Sequence, residues 1–196
     1  MSQNIEIEFK NMLTKKEYER FLVEFSIDKK QIFSQENHYF DTHDFALKSL
    51  GAALRIRQKG GAYEMTLKQP AKVGLLETNQ ILSAAEASSA FKLGRLPAGL
   101  VQQLIEENGI PFSKMKYFGS LITNRAEIEY KNGLLVLDHS SYLTIEDYEL
   151  EYEVDNYQAG LKTFKELLAK FMIPERKTEN KIRRFYNQKY KQHDLI

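Results

Sequence analysis

IEIEFK, at residues 5–10 of the chain, alternates apolar and charged residues without interruption. Successive side chains of a β-strand point to opposite faces of a sheet, so this stretch predicts a strand with one apolar and one charged face. The charged face carries Glu6, Glu8 and Lys10. Alternating Glu and Lys are common on solvated strand faces, so this row indicates a binding surface only together with the charged rows of other strands.

Later stretches repeat this alternation with different charges. The further rows are Arg55 and Arg57; Glu64, Thr66 and Lys68; and Glu149, Glu151 and Glu153. The first and last predicted strands are therefore rich in acids, whereas the middle strands are rich in bases. Neighbouring like charges on a strand repel one another, so the pattern favours a cation between the acidic rows and an anion against the basic rows. A closed barrel with a polar interior and apolar residues beneath outer helices would bring the rows together.

The rest of the chain predicts a single α+β domain over residues 1–196, built around a sheet or barrel. Further strands are expected around the Gly60-Gly61 and Asn132-Gly133 turns, which are typical of hairpins. Predicted helices follow the capping-box pairs Thr14/Glu17 and Ser83/Glu86 and cover Pro97–Asn108, Tyr157–Met172 and the basic tail Lys177–Tyr190.

Composition excludes several classes of function. The formal net charge of +1, from 28 Lys+Arg against 27 Asp+Glu, argues against nucleic acid as a partner. The chain has no cysteine, which excludes disulfides and thiol chemistry. Since no apolar run approaches the roughly 18 residues of a membrane span, we expect a cytoplasmic protein with no membrane partner.

The charged rows predict a site for a divalent metal ion together with a polyphosphate. Mg²⁺ and Mn²⁺ prefer oxygen ligands, and Mg²⁺ is commonly held by carboxylates and substrate phosphates. Arginine donates paired hydrogen bonds to phosphate, and lysine adds a point charge. The sequence contains neither GxxxxGK[ST] nor GxGxxG, so side chains and not a glycine-rich loop would bind the phosphates.

These motifs also occur in the order found in a known family. Glu6-x-Glu8-x-Lys10 resembles the ExExK signature of the CYTH superfamily, the triphosphate tunnel metalloenzymes. Matching elements then follow in order: Tyr39-Phe40-Asp41, Leu54-Arg55-Ile56-Arg57, Thr66-Leu67-Lys68 and Glu149-x-Glu151-x-Glu153. The similarity covers roughly residues 3–186. It implies an eight-stranded antiparallel tunnel-like β-barrel flanked by helices.

The resemblance also implies roles for individual residues. Metal ligands would be Glu6, Glu8, Glu149, Glu151 and Glu153; phosphate contacts would be Lys10, Arg55, Arg57, Lys68, Arg125, Lys181 and Arg184; and the catalytic set would be Glu6, Glu8, Lys10 and Arg57. Asp138 matches an acidic position of a later strand. Where family members commonly show a Ser-Lys-Tyr-like element, this chain has Asn180-Lys181-Ile182-Arg183-Arg184, which leaves the choice between Arg183 and Arg184 open.

The function implied is metal-dependent hydrolysis of a small triphosphate, with Mg²⁺ or Mn²⁺ as cofactor. Inorganic triphosphate, thiamine triphosphate and nucleoside triphosphates are the candidate substrates, and the protein would be a monomer or a homodimer. The alternatives are a class IV type adenylate cyclase, a non-catalytic module that binds polyphosphate or nucleotide, and a structural β-domain with a solvated charged face.

Overall fold

The computed structural model describes residues 2–193, with side chains through residue 190. The strands are β1 (Ser2–Leu13), β2 (Phe33–Asp41), β3 (Ala53–Lys59), β4 (Ala62–Pro70), β5 (Leu75–Leu82), β6 (Lys116–Tyr130), β7 (Gly133–Tyr142) and β8 (Ile145–Val154). The helices are α1 (Lys15–Glu24), α2 (Ala46–Ser49), α3 (Ala84–Leu93), α4 (Leu100–Glu107), α5 (Tyr157–Lys170) and α6 (Lys181–His193). No helix among residues 2–193 is both long and apolar enough to cross a membrane.

The strands form a closed barrel in the order β1-β5-β4-β3-β2-β6-β7-β8. The strand pairs whose register is defined are antiparallel, including β1 with β5 and β1 with β8. The structure thus confirms the predicted α+β class and the eight-stranded antiparallel barrel.

The chain divides into two compact units. The first unit contains the residues up to Glu6 together with Gln35–Ser120, and the second contains Ile7–Ser34 together with the residues from Leu121 onward. The expectation of a single domain over residues 1–196 stays a prediction, and residues 1 and 194–196 lie outside those that the structure describes.

In the first unit, alternate residues of β3 and β4 separate into an apolar and a charged face. Leu54 and Met65 are buried in one apolar cluster with Val101 of α4. Arg55 lies directly opposite Thr66 in the register of β3 and β4. Because side chains alternate along a strand, the basic residues lie on the face away from this apolar cluster.

The second unit repeats this division around β8. Leu150 and Tyr152 are buried in an apolar cluster that also contains Phe21 of α1 and Phe164 of α5. The intervening glutamates of β8 therefore point to the opposite face of the sheet. Both predicted capping boxes are present, at the starts of α1 and α3.

The predicted helix limits are less accurate where tertiary contacts intervene. Helix α4 begins only at Leu100, after Gly99, whose φ of 151° does not fit a helix. Helix α6 begins at Lys181 and not at Lys177. The hydroxyl of Thr178, in the segment just before it that is neither helix nor strand, accepts a hydrogen bond from the backbone N–H of Met12.

Candidate functional site

Three buried carboxylates of the second unit lie close together on β7 and β8. Asp138 is directly opposite Glu149 in the antiparallel register, and Glu151 follows two residues later on the same face of β8. One oxygen from each of the three carboxylates lies within 4.8 Å of the others. We call these three residues the carboxylate triad.

Two cations neutralise much of the charge of the triad. The ammonium of Lys181 lies 2.9 Å from Asp138 Oδ2, 2.6 Å from Glu149 Oε2 and 2.5 Å from Glu151 Oε1. The guanidinium of Arg125 donates two hydrogen bonds to Asp138, from Nε at 2.7 Å and Nη2 at 2.6 Å. Its Nη2 also donates to Glu151 at 2.8 Å. The repulsion expected along the glutamate row is thus offset by cations from β6 and α6.

Helix α6 places Lys181 and Arg184 on the same side because residues three apart share a helix face. The side chain of Asn180 accepts from the backbone N–H of Arg183 and caps the helix. Arg184 then donates to Asp147 at 2.9 Å and to Glu149 at 2.8 Å. Arg183 is 62% exposed and pairs with Glu179. Arg184 is therefore the arginine of this segment that reaches the buried carboxylates.

The charges of this cluster fix the protonation states of its members. Burial alone would lower the pKa of Lys181, but Asp138, Glu149 and Glu151 more than offset it, and the pKa lies well above its usual value. Burial would raise the pKa of Glu151, but the neighbouring cations, Lys181 first, hold the pKa well below its usual value. Lys181 and Glu151 are therefore both charged at neutral pH.

The ExExK motif contributes Glu8 and Lys10 to the second unit. Lys10 Nζ lies 2.5 Å from Glu8 Oε1. Burial lowers the pKa of Lys10, but Glu8 and then Glu151 outweigh burial, so the pKa is raised. Glu153 is more exposed and lies 4.0 Å from Arg125.

A second group of charges lies in the first unit, on β1, β3, β4 and β5. Lys68 Nζ lies 2.5 Å from Glu6 and 2.6 Å from Glu77, and Arg55 lies 3.9 Å from Glu77. Burial raises the pKa of Glu77, but Lys68 and Arg55 outweigh burial and lower it. Glu77 thus lies within ion-pair distance of two basic side chains.

The arginines of β3 offer donors suited to an oxyanion. Arg55 Nε is buried, and it has no hydrogen-bond partner within the part of the chain that the structure describes. A buried donor without a partner is costly, and a phosphate oxygen would satisfy it. Arg57 lies two residues further along the same face, and its Nε donates to the Asn37 side chain at 3.3 Å.

The donor chemistry of the triad fits a hard divalent metal ion. Carboxylate oxygens are the protein ligands that Mg²⁺ and Mn²⁺ prefer, and one or two of them usually suffice for Mg²⁺. The triad could hold such an ion. Its residues are Asp138, Glu149 and Glu151.

The structure separates the predicted site residues between the two units. Those of the second unit are Glu8, Lys10, Arg125, Glu149, Glu151, Glu153, Lys181 and Arg184, and those of the first are Glu6, Arg55, Arg57 and Lys68. Their assignment to metal and phosphate stays a prediction.

The sequence patterns did not place Asp147 or Glu77 in the site, nor Asp138 among the metal ligands. Asp147 continues the alternation of Glu149 and Glu151 towards the start of β8, which is a signal in the sequence. Asp138 lies directly opposite Arg125 in the hairpin of β6 and β7. Counting back from the Asn132-Gly133 turn would have revealed that pairing.

Comparison with known protein families identifies the class to which this barrel with its buried ionic clusters belongs. Residues 4–186 match the model of the CYTH domain, and the chain belongs to the CYTH domain family.

Individual relatives agree with this membership. The chain is 51% identical over 191 residues to "Putative triphosphatase YjbK" of Bacillus subtilis (strain 168), covering 97% of this chain and 99% of the relative. The crystal structure of a "putative adenylate cyclase (bh2851)" from Bacillus halodurans superposes with a TM-score of 0.92 and 46% identity, covering 95% of this chain and 100% of that one. HpAC1 from Hippeastrum, a "putative adenylyl cyclase" described with a dominant triphosphatase activity, shares the fold at a TM-score of 0.77 and 22% identity, over 94% of this chain and 96% of that one.

Proposed function

We propose that this chain is a metal-dependent hydrolase that cleaves a phosphoanhydride bond of a small triphosphate. The observation that carries the proposal is the buried carboxylate triad of Asp138, Glu149 and Glu151, which suits a hard divalent cation. Membership of the CYTH domain family and the name triphosphatase carried by the 51% identical relative support the same reaction.

The triad would hold Mg²⁺ or Mn²⁺, with Glu8 and Glu153 of the same unit as further candidate ligands. Glu6, in the first unit, stays a separate candidate ligand. When bound, such an ion polarises phosphoryl oxygens and lowers the pKa of bound water. The carboxylates position it, and Arg125 keeps the side chain of Asp138 in place through two hydrogen bonds.

The basic residues would bind and orient the phosphates. Phosphoryl transfer needs mainly positioning and neutralisation of charge, and little covalent chemistry from the protein. Arg55 offers a buried donor without a partner in the described chain, and Arg57 and Lys68 lie on the same face of neighbouring strands. Lys10 adds a charge next to Glu8. Arg125, Lys181 and Arg184 stay candidate phosphate contacts.

Inorganic triphosphate, thiamine triphosphate and nucleoside triphosphates are the substrates we propose to test. The near-balance of 28 basic and 27 acidic residues supports a small anion as the partner more than a nucleic acid. A cytoplasmic location, no membrane partner and a monomeric or homodimeric state belong to the same proposal.

A phosphate-release screen tests the proposal directly. Tripolyphosphate, thiamine triphosphate, ATP and GTP would each be incubated with the protein and Mg²⁺, Mn²⁺ or EDTA. We expect release from at least one substrate with metal and none with EDTA. Absence of metal-dependent release from all four would contradict the proposal, and tight triphosphate binding without release would favour a non-catalytic binding module.

Substitution of Arg57 separates function from folding. Arg57→Ala removes a donor directed at the developing negative charge, and loss of such a donor typically costs about 10²–10³ in kcat. The matched control is Arg183→Ala, because the Arg183 side chain is 62% exposed and pairs with Glu179, which is not one of the buried carboxylates. Equal loss of turnover in both variants, or loss of stability in proportion to activity in Arg57→Ala, would argue against the role.

An adenylate cyclase is the second candidate. It is favoured by the 46% identical Bacillus halodurans structure, which is described as a "putative adenylate cyclase". Both reactions need the triphosphate and the metal, but the cyclase forms cyclic AMP and pyrophosphate from ATP. Chromatography of the ATP reaction distinguishes them, because hydrolysis yields free phosphate and no cyclic AMP.

A further inference from the structure

Lys181 lies where the carboxylate triad would hold a metal ion. Its ammonium is 2.5–2.9 Å from one oxygen of each of the three carboxylates. Lysine has three N–H donors and no acceptor, so one ammonium can serve three carboxylates at once. The side chain is 13% exposed. The triad therefore contains a cation supplied by the protein itself.

A divalent ion and this ammonium cannot share the position. Mg²⁺ binds oxygens at about 2.0–2.1 Å, closer than the ammonium lies to the same atoms. An ion bound by these oxygens would compete with the ammonium for the same carboxylate lone pairs, and the two positive charges would repel each other. Occupancy by metal and occupancy by Lys181 are thus alternatives.

Arg125 and Arg184 also contact the triad, but each guanidinium is held by several hydrogen bonds, so Lys181 is the cation that we expect to leave. Arg125 extends from β6, and its backbone pairs directly opposite Asp138. Its planar guanidinium is fixed by two hydrogen bonds to that carboxylate. Lys181 reaches the triad on a flexible four-carbon stem from the first residue of α6. A positive charge is also unfavourable at a helix N-terminus, so the carboxylates, and not the helix, hold it there.

We propose that Lys181 is a resident counter-ion of the triad, which a divalent metal ion displaces and which then becomes available to a phosphate oxygen. This inference rests on the metal requirement of the proposed function. Without metal, the ammonium acts together with Arg125 and Arg184 to offset the repulsion between the buried carboxylates. With metal bound, the released ammonium needs another anionic partner, and a triphosphate supplies one.

Labelling of lysines in the wild-type protein tests the displacement without using activity. The protein is treated with an amine-acetylating reagent, with EDTA or with saturating Mn²⁺ alone, and acetylation is quantified by peptide mass spectrometry. Exposed Lys92 of α3 is the internal control. We expect Mn²⁺ to raise acetylation of Lys181 several-fold and to leave Lys92 unchanged. Unchanged or reduced acetylation of Lys181 with Mn²⁺ bound would overturn the proposal.

Affinity for the metal provides the second measurement. Lys181→Met removes the competing charge and keeps the aliphatic stem, so Mn²⁺ should bind about tenfold tighter or more, as measured by isothermal titration calorimetry. Lys92→Met is the matched control and should bind Mn²⁺ like the wild type. Equal or weaker binding by a folded Lys181→Met protein would overturn the proposal, and if that variant does not fold, wild-type labelling decides.

The two proposals can fail separately. Metal-dependent phosphate release without any change at Lys181 would overturn the counter-ion role and leave the proposed hydrolase intact. Displacement of Lys181 by Mn²⁺ without release from any triphosphate would support the counter-ion role and contradict the hydrolase. Absence of Mn²⁺ binding by the wild type would overturn both.

Discussion

Arg125→Met tests whether the buried charges of the second unit hold its strands together. The arginine is 7% exposed and makes three hydrogen bonds of 2.6–2.8 Å to Asp138 and Glu151. Methionine keeps much of the volume of the stem but removes every one of these donors. Asp138, which is fully buried, then loses both hydrogen bonds from its opposite strand.

The expected loss of stability follows from that burial. Removing one partner of a buried ion pair costs about 3–5 kcal/mol. Lys181 still contacts Asp138 and Glu151, but it does not replace the three hydrogen bonds that these carboxylates lose. In a chain of this size, each kcal/mol lowers the melting temperature by about 2–4 °C. Arg125→Met should therefore melt about 6–20 °C below the wild type when both are measured in EDTA.

Urea denaturation measures the free energy of unfolding of each variant. An unchanged m-value shows that the substitution altered stability and not the surface exposed on unfolding. The control is Lys131→Met, which breaks a 3.1 Å pair with Glu166 in which both side chains are about half exposed. Such a pair is worth about 0–1 kcal/mol. The reasoning is refuted if Arg125→Met costs no more than Lys131→Met. A double-mutant cycle with Asp138→Asn should give a coupling free energy of about 0.5–3 kcal/mol.

Further substitutions address the acid response, a tertiary contact and packing. Burial raises the pKa of Glu77, but Lys68 and Arg55 together outweigh burial and lower it. The contribution of Glu77 to stability is therefore complete above the unfolded pKa of about 4.3 and is lost as pH falls through the lowered folded value. Urea midpoints from pH 6 to pH 2 should fall less for Glu77→Gln than for the wild type. Arg176→Ala loses two 2.9 Å hydrogen bonds to Glu17 and should cost about 1–3 kcal/mol in urea denaturation, whereas no measurable loss would contradict it. Gly160→Ala places a methyl group 2.5 Å from a valine side chain and should cost about 1–3 kcal/mol by the same assay; a stabilised variant would show that the neighbours yield.

Local patterns predicted the elements whose causes are local. Alternation over residues 5–10 indicated a strand, and β1 contains that stretch. The capping boxes at Thr14 and Ser83 are both formed, because each needs only a glutamate three residues later. The strand pair around Gly60-Gly61 is also present.

Elements that depend on distant partners could not be predicted in this way. Helix α2 has only four residues, too few for a periodic signal. Two of its residues, Leu47 and Lys48, donate backbone hydrogen bonds to the buried carboxylate of Asp41. The start of α6 at Lys181 likewise depends on the contact between Thr178 and Met12. Such a contact joins residues far apart in sequence, so no local window reveals it.

The same distinction applies to the candidate site. The row of glutamates on β8 was visible in the sequence, but the cations that neutralise it come from β6 and α6. Their position follows from strand register and helix docking, which a charge pattern alone does not supply. The sequence therefore predicted which residue types belong to the site. It left open which acidic side chain pairs with which basic side chain.

The pairing of charges has a thermodynamic consequence for ligands. If Lys181 occupies the triad in the absence of metal, a metal ion must displace it. The observed affinity for the metal is then lower than the intrinsic affinity of the carboxylates. A triphosphate that forms an ion pair with the released ammonium recovers part of this loss of binding free energy. Metal and triphosphate would then raise each other's affinity by the same factor, because coupling between two binding equilibria is reciprocal. A site with its own counter-ion thus favours simultaneous binding of both ligands over binding of the metal alone.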